Sequence, residues 1–152
     1  MREIQLVQSI RKPAAAPIPT VAFVDDEDYE SMSQHEWKAM RCKGGKYFYA
    51  GRITIENGKK RTIYMHREIL NASKGELVDH KNHDTTDCTR GNLRKATNSQ
   101  NSQNRKMRSD CKTGFKGVHW HRKHKRWCAR IQYEGRTHYG KDRKDASVAA
   151  MD

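Results

Sequence analysis

The chain has 152 residues, of which 31 are Lys or Arg and 18 are Asp or Glu, giving a formal net charge of +13. Only 34% of the residues are hydrophobic, and the mean hydropathy is -1.11. These values exclude one large hydrophobic core and predict two small units that bind a polyanion such as nucleic acid.

The cysteines and the apolar runs bear on the location of the protein. Cys42, Cys88, Cys111 and Cys128 are widely separated and form no Cys-x-x-Cys motif, which argues against a structural zinc site and favours reduced thiols. No apolar run approaches the length of a membrane span, and nothing resembles a signal peptide. We therefore expect a cytoplasmic protein without membrane contact.

The N-terminal part is predicted to form an arm followed by a small sheet. Residues 1–19 contain all three prolines and an Ala-Ala-Ala run, which predict a flexible arm. Val21 to Val24 is predicted as a strand, and an acidic segment then leads through a turn of helix to a strand from Trp37 to Met40. The acidity of this segment argues against its facing nucleic acid.

A hairpin is predicted next. Tyr47 to Ile55 alternates as a strand, Glu56-Asn57-Gly58-Lys59 has the composition of a hairpin turn, and Arg61 to Met65 is the return strand. A short helix, HREILNA, is expected to begin at His66 and to pack behind the following segment.

The central segment, residues 77–104, predicts a second hairpin followed by a helix. Leu77-Val78 forms the first strand and Leu93 to Ala96 the second, and Thr97 or Asn98 caps a helix from about Ser99 to Met107. In such a unit the end of the first strand faces the first turns of the helix.

This arrangement would bring Asp79, His80 and Asn101 into one small volume. A carboxylate, an imidazole and an amide oxygen suit a hard divalent cation together with a general base. That combination can hydrolyse a phosphodiester, and a basic side chain, Arg67 or Arg94, could stabilise charge on the phosphate.

The segment resembles the HNH endonucleases, in particular the homing-type group of phages and mobile introns. The shared features are, in order, His66-Arg67, Val78-Asp79-His80, Asn92-Leu93-Arg94, Ser99-Gln100-Asn101 and Asn104. The resemblance implies that His80 is the general base, that Asp79 and Asn101 bind one Mg²⁺ or Mn²⁺ per active site, and that Asn92 holds the loop between the strands. Cys88 departs from the pattern, since many relatives carry Asn there.

A basic linker, residues 108–113, is predicted to follow, and the preceding Arg105 and Lys106 are expected to contact DNA phosphates. Beyond it, strands are predicted at Gly117 to His121, Arg126 to Tyr133 and Thr137 to Gly140, with a helix starting near Lys144-Asp145-Ala146. Residues 114–152 resemble the ethylene-response-factor (APETALA-type) DNA-binding domain. The helix of that family usually extends past the point where this sequence stops, so we expect either a shortened helix or a truncated domain.

Alternation along these strands predicts one apolar and one cationic face. The apolar face is expected to carry Val118, Trp120, Trp127, Ala129, Ile131, Thr137 and Tyr139. The cationic face is expected to bind DNA through Lys116, His119, His121, Arg130, Gln132, Arg136 and His138.

Together these features predict an α+β fold. A small β-sheet and a ββα-metal unit form a nuclease domain over residues 20–107, with the catalytic unit at 76–107, and a three-stranded antiparallel sheet with a packing helix follows. We expect a monomer that cleaves double-stranded DNA in a host cell, as a phage or mobile-element protein. A non-cleaving DNA-binding regulator is the alternative, an RNA-directed protein is a weaker one, and nicking versus double-strand cleavage is left open.

Overall fold

A computed structural model describes residues 1–8, 17–42, 47–107, 111, 113–133 and 135–151. The chain divides into two compact units, Met1–Thr97 and Asn98–Asp152. Both strands and helices are present, so the predicted α+β class is confirmed. Across the described residues, no helix is long and apolar enough to cross a membrane.

The first unit is built on a five-stranded sheet with the strand order β2-β1-β3-β4-β5. Neighbouring strands are antiparallel except β1 and β3, which are parallel. Two short helices, α1 and α2, belong to the same unit. The bounds are β1 Arg2–Val7, β2 Val21–Val24, α1 Asp26–Ser33, β3 Trp37–Arg41, β4 Phe48–Glu56, β5 Lys59–Tyr64 and α2 Met65–Ile69.

The core of this unit lies against one face of the sheet. Trp37 is fully buried, and its indole Nε1 donates a hydrogen bond of 2.8 Å to the carbonyl of Met32 in α1. Cys88 and Leu93, from the region of the second hairpin, are buried in the same cluster. That hairpin is therefore fixed to the sheet by apolar packing.

The predicted N-terminal arm is wrong over residues 2–7. These residues form β1, which pairs with both β2 and β3, and Ile4 and Leu6 are buried. The prediction failed because the prolines follow this stretch, while REIQLV itself has the apolar-polar alternation of a half-buried strand. Residues 9–16, also assigned to the arm, lie outside the described part of the chain.

The second hairpin consists of β6, Leu77–His80, and β7, Leu93–Ala96. It is antiparallel, and Asp79 lies directly opposite Arg94. The predicted strands are thus confirmed, and β6 includes the Asp-His pair.

The helix after this hairpin, α3, spans Asn98–Asn104. It begins with Asn98 inside the helix, so that Thr97 is the residue before it, and it ends before the predicted Met107. Contacts group α3 with the second unit. The division of the chain therefore lies at residues 97 and 98 and not in the predicted linker at 108–113, of which residues 108–110 and 112 are outside the described ranges.

The second unit contains an antiparallel sheet in the order β10-β9-β8 and a short helix. Asp145 caps this helix, since its Oδ1 accepts a hydrogen bond of 2.7 Å from the backbone N–H of Ser147. The predicted strands and helix are confirmed in kind. Their bounds are β8 Val118–His121, β9 Arg126–Tyr133, β10 Arg136–Tyr139 and α4 Ala146–Ala149.

The predicted faces of β10 are wrong. His138 lies opposite Ile131, and Tyr139 lies opposite Arg130. Because directly paired residues share a face, Arg136 and His138 lie on the face of Ile131, whereas Thr137 and Tyr139 lie on the face of Arg130. Alternation within one strand does not fix the pairing with the next, and a one-residue difference in register exchanges the two faces.

A pair of substitutions in β1 tests whether this strand belongs to the fold. Leu6→Ala should lower the free energy of unfolding by about 2 to 5 kcal/mol, because it opens a cavity in the core. Gln5→Ala, at an exposed position of the same strand, should change it by no more than about 0.5 kcal/mol. Urea unfolding of both variants measures the difference. Equal, small effects would indicate that residues 2–7 do not pack against the sheet.

Candidate active site

Asp79 and His80 end β6 and are both buried, with 7% and 6% of their surfaces exposed. The Asp79 carboxylate forms an ion pair with Arg94, the residue opposite it in β7. Arg94 donates from Nε and Nη2 to the same oxygen, Oδ2, over 3.0 and 2.8 Å. The hairpin therefore presents a buried carboxylate whose charge is balanced across the two strands.

His80 belongs to a cluster of rings formed with Tyr49, Tyr64 and His66. The centroid of His66 lies 5.1 Å from that of His80 in an edge-on arrangement, and Tyr49 lies 6.0 Å from His80. Tyr64 stacks on His66 at 5.6 Å. The cluster holds the His80 ring on one side and shields it from water.

This surrounding keeps both imidazoles neutral. Burial lowers the pKa of His66 to about 3, with smaller contributions from His80 and Arg67. Burial also lowers the pKa of His80, although nearby carboxylates, led by that of Asp79, act in the opposite direction. A general base must be deprotonated before it can accept a proton, so a neutral His80 is suited to that role.

His66 is a functional candidate to which the sequence assigned no catalytic or metal-binding role, although it was expected to begin a helix and matched the HNH pattern. It lies in α2, is buried, and its Nδ1 has no hydrogen-bond partner among the described residues. Burying a polar atom without a hydrogen-bond partner costs about 1 to 3 kcal/mol of folding free energy. Such an atom next to His80 therefore suggests a functional role for His66. The signal was available in the His66-Arg67 pair of the HNH resemblance.

The loop between β6 and β7 is closed by Asn92. Its side-chain Oδ1 accepts a hydrogen bond of 2.9 Å from the backbone N–H of Asn82, and its Nδ2 donates one of 2.8 Å to the carbonyl of Asp87. One amide side chain thus links two points of the loop that immediately follows His80. This contact restrains the backbone that carries the candidate base.

The same loop is attached to the main sheet. Phe23 in β2 accepts a backbone hydrogen bond from Cys88 and donates one to Thr86, over 2.8 and 2.9 Å. Cys88, which departs from the HNH pattern, is fully buried, and burial raises the pKa of its thiol to about 12. It therefore acts as a small apolar side chain at this position.

The acidic segment around α1 also holds the loop, a role that the sequence analysis missed. Arg90 forms a two-point ion pair with the buried Asp28, with distances of 2.8 and 2.7 Å, and a further ion pair of 2.7 Å with Glu27. The backbone N–H of Arg90 donates to Asp25 over 2.7 Å. The acidic side chains that argued against a nucleic-acid surface therefore pair with Arg90 within the fold.

The other predicted basic residue near the site, Arg67, is held differently. Its guanidinium donates to the backbone carbonyls of Ala72, Ser73 and Glu76. This arrangement closes the turn between α2 and β6. Arg67 therefore has a structural role that the sequence did not indicate.

Asn101, the second expected metal ligand, lies on α3 and so belongs to the second unit, as does Asn104. The convergence of Asn101 with Asp79 and His80 stays a prediction.

The second unit exposes most of the residues expected to bind DNA. Of these, His121 is half-buried, and its ring stacks on that of His124 at 4.2 Å. His124 in turn contacts the Asp142 carboxylate at 2.8 Å, which lowers the pKa of that carboxyl group. The exposed members of the set are Lys116, His119, Arg130, Gln132, Arg136, His138, Arg105 and Lys106.

Within this unit a groove of about 700 Å³ lies between α3 and β9. Lys116 donates from Nζ to the carbonyl of Gln103 in α3 over 2.6 Å, and Gln103 donates from Nε2 to the carbonyl of Gln132 over 3.3 Å. Arg130 also lines the groove. Three of the residues expected to contact DNA, of which Lys116 and Arg130 are cationic, therefore border one groove that Ile131 also lines.

Comparison with known families agrees with the central part of this description. Residues 64–103 match the model of the HNH endonuclease family. The matched segment includes His66, Asp79, His80, Asn92 and Asn101, and it supports a nuclease function. HNH nucleases generally use a divalent metal ion, and the match implies DNA as the substrate.

The comparisons leave the remainder of the chain open. The match does not extend to residues 114–152, so the APETALA-type assignment stays a prediction. Searches of curated proteins and of solved structures gave no match.

The pH dependence of stability tests the burial of His66. The pKa of His66 is about 3 in the folded chain and about 6.5 when unfolded, so the unfolded chain binds the proton first as the pH falls. Stability present above pH 6.5 is therefore lost on acidification, by about 2 kcal/mol at pH 5. His66→Phe removes this contribution.

Urea unfolding of the wild type and of His66→Phe at pH 7.5 and pH 5.0 measures the effect. The wild type should lose more stability between the two values than the variant does, by about 2 kcal/mol. Equal losses would show that His66 is solvated in the folded chain.

Proposed function

We propose that this protein is an HNH-type DNA endonuclease that hydrolyses a phosphodiester bond with one divalent cation, Mg²⁺ or Mn²⁺, and with His80 as the general base. The observation that carries the proposal is the buried Asp79-His80 pair at the end of β6, within the segment that matches the HNH family. A carboxylate and a neutral imidazole, the two groups that this chemistry requires, occur there on consecutive residues.

His80 accepts a proton from the attacking water in this proposal. The ring cluster with Tyr49 and His66 restricts the orientation of the imidazole, and burial keeps it neutral. Asn92 contributes as a positioning residue, because its two hydrogen bonds fix the loop that follows His80. The imidazole is thereby held in one orientation and in its neutral form.

Asp79 would supply a hard oxygen donor for the cation, and the resemblance to the HNH family implies Asn101 as the second ligand. No three His, Cys, Asp or Glu side chains within the described ranges are placed to hold a metal ion by themselves. Such a sparse donor set fits an ion that keeps several waters and takes further ligands from phosphate. When bound, the cation stabilises negative charge on the phosphate and on the leaving 3′ oxygen.

The second unit supplies affinity for double-stranded DNA in this proposal. Its exposed cationic residues, among them Arg130 and Lys116, would contact phosphates and base edges, while Arg105 and Lys106 after α3 would contact phosphates alone. Affinity that depends on phosphate contacts falls as the salt concentration rises. One catalytic unit per chain makes a monomeric nickase the simplest form of the enzyme.

Cleavage of a supercoiled plasmid tests this function. The wild type with Mg²⁺ or Mn²⁺ should produce nicked or linear DNA, and EDTA should stop the reaction. His80→Asn should reduce the rate at least about 100-fold, because the proton acceptor is lost.

His83→Asn provides the matched control. His83 lies in the same loop with a backbone φ of 67°, a conformation that Asn tolerates well, so this variant should cut at about the wild-type rate. Cleavage by His80→Asn at the wild-type rate would refute His80 as the base. DNA binding by the wild type without cleavage under either cation would favour a non-cleaving regulator.

A further inference from the structure

Arg94 has a single partner among the described residues, and that partner is the candidate metal ligand Asp79. Two donors of its guanidinium, Nε and Nη2, are directed to Asp79 Oδ2. The pairing follows from the strand register, which places the two residues opposite each other in β6 and β7. The ion pair is therefore built into the hairpin.

The two members of the pair differ in exposure. The Asp79 side chain is 8% exposed, whereas that of Arg94 is 37% exposed. The guanidinium thus lies on the solvent side of the carboxylate. A buried carboxylate needs a positive partner, because an uncompensated buried charge is strongly destabilising.

Two other arginines beside the hairpin, Arg67 and Arg90, are each held by several partners. Arg67 donates to three backbone carbonyls, and Arg90 contacts Asp28, Glu27 and Asp25. Neither can leave its place without breaking several contacts within the fold. Arg94 needs to give up only the Asp79 carboxylate.

A divalent cation on the same carboxylate would compete with Arg94. Two positive charges that share one carboxylate repel each other, and the repulsion grows in a buried site where the effective dielectric constant is low. Arg94 can relieve it by turning outward, because its side chain already reaches solvent.

We propose that Arg94 is the exchangeable counter-ion of Asp79. It neutralises the carboxylate until the cation binds, and it then moves to a phosphate of the DNA backbone. This inference rests on the proposed function, since it takes Asp79 as a metal ligand. Because one side chain is released by the cation and captured by DNA, each ligand strengthens the binding of the other.

Titration of DNA-free protein with Mn²⁺, followed by isothermal calorimetry, tests the competition. Arg94→Gln should bind Mn²⁺ about tenfold more tightly than the wild type, since the competing charge is gone. Arg94→Lys retains the charge and should bind Mn²⁺ about as the wild type does. Equal or weaker Mn²⁺ binding by Arg94→Gln would overturn the proposal.

Thermal unfolding monitored by circular dichroism establishes that each variant is folded. Arg94→Met fills similar space without a charge, and it replaces Arg94→Gln in the titration if the latter does not unfold cooperatively.

Binding of a labelled duplex tests whether Arg94 moves to a DNA phosphate once the cation is bound. The experiment uses His80→Asn protein, which does not cut, with and without the additional Arg94→Gln substitution. In EDTA the two proteins should have similar Kd values, because Asp79 holds Arg94. In Mn²⁺ the protein that retains Arg94 should bind the duplex several-fold more tightly. The same ratio of Kd values in both conditions would contradict the exchange.

Asp79→Asn separates this inference from the proposed function. If Asp79→Asn binds Mn²⁺ as well as the wild type does, the assigned metal site itself is wrong. If Asp79→Asn loses Mn²⁺ binding while Arg94→Gln gains none, the metal site stands and the counter-ion role of Arg94 is rejected.

Discussion

This site depends on a carboxylate that is almost completely buried and therefore needs a positively charged partner. Asp79 meets this need through Arg94, directly opposite in the hairpin. The residue after Asp79 is His80, whose pKa is lowered by burial, so that its imidazole is neutral. An ion-paired carboxylate and a neutral imidazole therefore occur on adjacent residues of one strand.

The rest of the first unit holds that hairpin in place. Leu93 and Cys88 pack into the core of the five-stranded sheet, and the backbone of Phe23 pairs with the loop. Arg90 ties the same loop to the acidic residues around α1, among them the buried Asp28. A hairpin with strands of only four residues is marginal alone, so these contacts provide the rigidity that positions His80.

Local features, such as strands and turns, were predicted from the sequence, whereas features that depend on pairing between distant segments were not. Alternation and turn composition were enough to find β4, β5 and the second hairpin, and the Asp-His pair stood out by its motif. The strand at residues 2–7 is masked by the three prolines that follow it, which predict an extended arm, although Ile4 and Leu6 alternate with polar residues. The faces of β10 depended on a register that alternation within a strand does not supply.

Side-chain partners far apart in the sequence were beyond such reasoning. Arg90 and Asp28 are separated by 62 positions, and nothing in either segment indicates the other. The proximity of His66 to His80 likewise depends on how α2 is placed relative to the second hairpin, which periodicity does not determine. By contrast, the Asp79–Arg94 pair could have been derived by aligning the two predicted strands of the hairpin.

Anomalous diffraction from crystals of the His80→Asn protein with Mn²⁺ and a DNA duplex tests the central claim most directly. If Asp79 binds the metal as proposed, one Mn²⁺ will lie about 2.1 Å from a carboxylate oxygen of Asp79, with a DNA phosphate oxygen as a further ligand. A Mn²⁺ ion bound to DNA but away from Asp79, with Asp79 still paired to Arg94, would contradict it.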